Sequence, residues 1–188
     1  MKKFISCFVF VFLASNQVMA ADKEQLIQNS RASVKALGSE LKATLQASVK
    51  KDGAIEAISV CNTKAPQISE KISQEKGLSV ARTALKYRNE GNKPDAWEKK
   101  VLQQFEQRKI QGEAVNALEF SEITELDGKK VFRYMKAIPT GEVCLACHGS
   151  NVTPAISERI NSLYPNDKAT GFNKGDIRGA FTIIQSVE

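Results

Sequence analysis

Apolar residues recur along residues 22–50 at three-, four- or seven-residue steps, as Leu26, Ile27, Val34, Leu37, Leu41, Leu45 and Val49, with Lys, Glu and Gln between them. That spacing predicts one long amphipathic helix. Gly38 weakens its helix propensity without breaking the stripe, and Asp52-Gly53 ends it. A second helix is expected from Ala54, with Ile55, Ile58 and Cys61 on related positions. Pro66 predicts the start of a third, short helix through Ile68 and Ile72, because proline suits a first helical position; Gly77 closes it.

Beyond Gly77 the period changes. Residues 78–83 read as a strand, and residues 86–93 as a polar loop marked by Asn89, Gly91 and Asn92. Pro94-Asp95 opens a helix through Trp97, Val101, Leu102 and Phe105, where Asp95 suits the cap and the helix dipole. Residues 117–126 and 130–138 are strand-like runs joined by Asp127-Gly128, a two-residue hairpin turn. A helix over 154–163 and a strand over 179–187 close the chain. Helices first and then mostly antiparallel strands predict one α+β domain over residues 21–188.

The first twenty residues are expected to lie outside that domain. Lys2 and Lys3 form a basic start, residues 4–14 a short apolar run, and Val18-Met19-Ala20 a cleavage site. The run is shorter than the ~20 residues a membrane-spanning helix needs. Cys7 precedes the apolar run's end, which disfavours a lipoprotein signal. These features predict a cleaved signal peptide and a periplasmic or secreted protein that does not span the membrane after cleavage.

Charge narrows the partners. The chain carries +6, and loss of the leader leaves 25 basic against 21 acidic residues, or +4. The basic residues are scattered among acids, without the clustered face that nucleic acid needs. A mild positive charge suits an acidic redox partner or anionic lipid.

Cys144-Leu145-Ala146-Cys147-His148 is the C-x-x-C-H signature of covalent c-type haem attachment. Thiols at i and i+3 lie on one face of a helical turn, where they can form thioethers to the two vinyl groups of one porphyrin. The adjacent histidine is then an axial iron ligand. A redox-active C-x-x-C disulfide is the first rival, but that motif belongs at the start of a helix in a βαβ unit. A zinc site of Cys61, Cys144, Cys147 and His148 is the second, although adjacent Cys147 and His148 are poorly spaced to share a tetrahedral ion.

Counting restricts the sixth ligand. His148 is the sole histidine, so bis-histidine ligation within one chain is excluded. Met1 and Met19 would leave with the leader, so Met135 is the sole mature methionine; Cys61 is the sole spare mature cysteine. Cys61, Met135, a lysine, a tyrosine or water can therefore fill the position. Each has a plainer role as well, Met135 as core filler and Cys61 as a small buried hydrophobe.

Several segments, taken with C-x-x-C-H, resemble a bacterial family of unknown function whose members are secreted c-type haem proteins with a PAS-like fold. They are Cys61-Asn62-Thr63-Lys64-Ala65-Pro66, Val80-Ala81-Arg82-Thr83, Tyr87-Arg88-Asn89, Asn92-Lys93-Pro94-Asp95-Ala96-Trp97-Glu98 and Gly175-Asp176-Ile177-Arg178-Gly179-Ala180. The family also occurs as the sensory part of membrane signalling proteins. The resemblance covers nearly all the mature chain. It implies a PAS-like antiparallel sheet with flanking helices, one covalent haem c, and His148 and Cys61 as axial ligands. Ala84 departs from the Ser or Thr-Ser that the family carries after Arg-Thr.

Arg82 and Arg88 are candidate partners for haem propionates, since guanidinium pairs bidentately with carboxylate; their plainer role is to hold the loop. The expected function is redox or ligand sensing, or electron transfer, without catalytic turnover and through a redox or signalling partner that the sequence does not identify. A haem enzyme, peroxidase-like or acting on small redox molecules, is the alternative. It would need distal acid–base groups, and no second histidine exists. A zinc-stabilised binding module is the remaining class.

Overall fold

Gly53, at φ 84° and ψ 172°, breaks the helical N-terminal half of the protein into two arms. That conformation is open essentially to glycine alone, which is why the first helix ends where the sequence predicts. A computed structural model describes residues 11–187, with side chains from residue 22. Residues 1–10 of the expected leader lie outside the described residues. No helix among the described residues is long and apolar enough to cross a membrane.

The two arms make up α1 (Val11–Lys76). The expected third helix from Pro66 is not separate: Pro66 lies inside the second arm, which runs unbroken to Lys76. An internal proline costs about 3 kcal/mol. Burial of Ile58, Ala65, Ile68 and Ile72 along the same arm offsets it.

After α1 come β1 (Ser79–Thr83), α2 (Ala96–Ile110), β2 (Glu119–Leu126) and β3 (Lys129–Pro139). A single helical turn, α3 (Leu145–His148), α4 (Pro154–Leu163) and β4 (Ile177–Ser186) follow. Asp95 caps α2 with a full capping box to Glu98. Asp127 and Gly128, both at positive φ, close the β2–β3 hairpin with Leu126 opposite Lys129.

The four strands form one antiparallel sheet in the order β1-β4-β3-β2. The fold is therefore α+β, with a PAS-like antiparallel sheet, flanking helices and a long N-terminal helix. One face packs Val80, Phe132, Tyr134 and Ile183 against Val34, Leu37, Ile68 and Ile72 of α1. Gly38 lets the helix approach: a Cβ there would lie 3.2 Å from the Phe181 ring. The other face packs Met135, Ala137 and Ala180 against Val101, Leu102 and Phe105 of α2. A polar clamp ties α1 to the hairpin, with Glu119 accepting from the Arg31 guanidinium and, at 2.6 Å, from the Tyr134 hydroxyl.

Candidate haem-binding site

The C-x-x-C-H segment is shaped by backbone bonds before any cofactor is considered. A tight turn over Glu142–Cys144 leads directly into α3, and the Gly149 amide ends that helix on the Leu145 carbonyl at 2.9 Å. A Cβ at Gly149 would stand 2.6 Å from the same carbonyl, so glycine is required there for space. The chain at residues 171–172 returns alongside, donating Gly171 N to Gly149 O at 3.0 Å and Phe172 N to His148 O at 2.9 Å.

His148 Nδ1 lies 2.7 Å from the Ala169 carbonyl oxygen. A carbonyl only accepts, so Nδ1 carries the proton and Nε2 presents its lone pair, as a metal-binding imidazole requires. Burial, reinforced by Arg178 and Arg88, pushes the imidazole pKa down to about 2 and keeps the ring neutral.

Arg88 holds this loop from behind. Its Nε and Nη2 meet Asp167 Oδ1 and Oδ2, each at 3.1 Å, and Nη2 also donates to the Cys147 carbonyl at 2.7 Å and the Ala169 carbonyl at 3.2 Å. Both side chains of this ion pair are buried. A propionate contact was the expectation for Arg88; in the structure its pair with Asp167 makes it a strut beneath Cys147 and His148.

Cys61, Cys144, Cys147 and His148 line one cavity of about 340 Å3, within the range of small-molecule sites. Leu45, Val49, Ala57 and Ile58 of α1 and Ile138 of β3 supply apolar wall. Cys61 faces it from the second arm of α1. Ile58 of that arm packs with Ile156, Ile160 and Tyr164, and Cys147 adjoins the same cluster. Burial raises the Cys61 thiol pKa, while Arg82, Arg88 and Arg178 oppose that shift. Burial likewise raises Cys147.

Met135, the fallback ligand, is excluded from this site by strand alternation. It is fully buried on the α2 face of the sheet, whereas Ile138 and Arg82 look into the cavity. The zinc alternative also fails on placement. Among the described residues no group of three or more His, Cys, Asp or Glu is placed to hold a metal ion. The three thiols and the imidazole line a cavity instead of converging to the ~2.3 Å that zinc ligation needs.

Arg82 lines the cavity from β1. Sequence reasoning missed Arg178 as a site residue, although it lies in the quoted Gly-Asp-Ile-Arg-Gly segment. It also missed Asp167 and the Ala169 carbonyl. The latter is backbone and has no residue-type signature.

The donor set fits a covalent haem: two thiols one helical turn apart, an imidazole with a free Nε2, and a third sulfur lining the same cavity.

No curated protein matches the chain. The fold is similar to that in the crystal structure of the cyanobacterial heme-protein Tll0287, with a TM-score of 0.60 and 22% identity over 89% of this chain and 96% of that one. The profile of the Tll0287-like family matches residues 14–186. The resemblance to a bacterial haem-protein family is thereby borne out, and the chain belongs to the Tll0287-like family.

Proposed function

We propose that this protein is an exported monohaem c-type cytochrome that works by redox sensing or electron transfer. The observation that supports it most is the meeting of Cys61, Cys144, Cys147 and His148 at one largely apolar cavity. In this reading Cys144 and Cys147 would hold the haem covalently, through thioethers to its two vinyl groups. His148 Nε2 and the Cys61 thiolate would bind its iron. Bound haem supplies one-electron exchange between ferric and ferrous iron.

The surrounding residues then do four things. The Ala169 carbonyl fixes the His148 tautomer, Arg88 holds the attachment loop, apolar side chains of α1 exclude water, and the arginines oppose the burial that raises the Cys61 thiol. A thiolate ligand keeps the potential low, whereas methionine would raise it. Two protein ligands leave no open iron site, which favours a carrier or sensor over an enzyme.

The test is the mass of the protein purified from the periplasm of a host that matures c-type haem. The proposal predicts a chain beginning at Ala21 with one haem retained through denaturation. It predicts loss of that mass increment on double substitution of Cys144 and Cys147 by serine. A retained leader contradicts its cleavage, and no added mass contradicts covalent attachment.

A further inference from the structure

Arg82, Arg88 and Arg178 are among the residues that line the cavity, and no Asp or Glu lines it with them. Arg88 is neutralised by Asp167. Arg178 donates Nη1 to the Lys86 carbonyl at 3.2 Å and lies 5.3 Å from the Phe172 ring centre, without a carboxylate partner among the described residues. Arg82 likewise has none. Both are lowered from their usual pKa by burial, and Arg178, pushed down to about 10, is also repelled by Arg88 and Arg82. Converging half-buried cations without counter-charge are costly unless an anion joins them.

The backbone brings these two arginines together for a definite reason. Arg82 on β1 stands opposite Phe181 on β4, three residues beyond Arg178. Between them is Gly179, where a Cβ would fall 2.5 Å from the Thr83 carbonyl oxygen. Only glycine lets the strands pinch this closely, and Thr83, Gly179 and both arginines line the same cavity. Both act electrostatically on Cys61 and on His148, which line the same cavity.

We infer that Arg82 and Arg178 form a paired clamp for the two propionates of the haem. The inference rests on the haem assignment above and adds the residues that orient the macrocycle. The charges match. A ferric porphyrin core carries one positive charge, a Cys61 thiolate cancels it, and two propionates leave the group at minus two. The two unpaired arginines supply plus two.

The test is infrared spectroscopy of the holoprotein carrying haem labelled with 13C at the propionate carboxyls, followed from pH 3 to pH 8. In the wild-type protein both label-sensitive carboxylates should stay ionised to below the ordinary carboxyl range of about pH 4. Arg82→Met and Arg178→Met should each shift a different labelled band and raise that propionate's titration midpoint by about one to three units. Arg82→Lys and Arg178→Lys should restore most of the midpoint. Unchanged labelled bands in both methionine variants would overturn the clamp and leave the haem assignment standing. Should those variants fail to fold, the wild-type titration still decides, because a propionate titrating at pH 5 or above overturns the clamp. A wild-type protein without covalent haem removes both proposals.

Discussion

His148 Nδ1 and the carbonyl oxygen of Ala169 lie 2.7 Å apart, and that same carbonyl receives Arg88 Nη2 at 3.2 Å. The orientation of the only imidazole is thus tied to a buried ion pair. Arg88 also holds the Cys147 carbonyl, so one guanidinium fixes both the backbone of Cys147 and the carbonyl that orients His148.

Removing that guanidinium should therefore be severe. Arg88→Leu leaves Asp167 buried without its partner, which costs about 3–5 kcal/mol. Replacing both members with leucine should cost less, because no orphaned charge remains. Urea denaturation of the single and double variants checks the order; equal losses would contradict the strut.

Acid should loosen the clamp between α1 and the hairpin. The Arg31 guanidinium first, helped by the Tyr134 hydroxyl, holds the Glu119 carboxyl at about 2, below its ordinary 4.5. A carboxyl depressed on folding contributes stability that is present above its unfolded pKa and lost as pH falls through the folded one. Stability should thus decline between pH 4.5 and about 2, and Glu119→Gln should flatten that decline. Denaturation midpoints across this window test it; identical slopes in the two proteins would contradict it.

Met135 should matter to packing and not to iron. Because it lies on the α2 face of the sheet, Met135→Leu should cost less than about 1.5 kcal/mol and leave the optical spectrum unchanged. A displaced Soret band would return methionine to the ligand set.

Much of this was legible in the chain. Asp127-Gly128 and Asp95 act through local backbone demands, so their hairpin turn and helix cap follow from neighbouring residues alone. The C-x-x-C-H segment and the count of histidines were equally local. Pro66 misled, because burial of the arm that carries it decides the helix. Arg88 and Asp167 are 79 residues apart, and no periodicity announces such a pair. Arg178 needed the pinch at Gly179 to bring it beside Arg82. Met135 could not be set on a face until the register of β3 was known.

The central claim is that Cys61 and His148 face one another across a haem fixed by Cys144 and Cys147. Electron paramagnetic resonance and optical spectra of the ferric holoprotein against Cys61→Ala test it most directly. A low-spin, thiolate-type ferric signal that disappears in the variant is the predicted result; a spectrum unchanged by Cys61→Ala would contradict it.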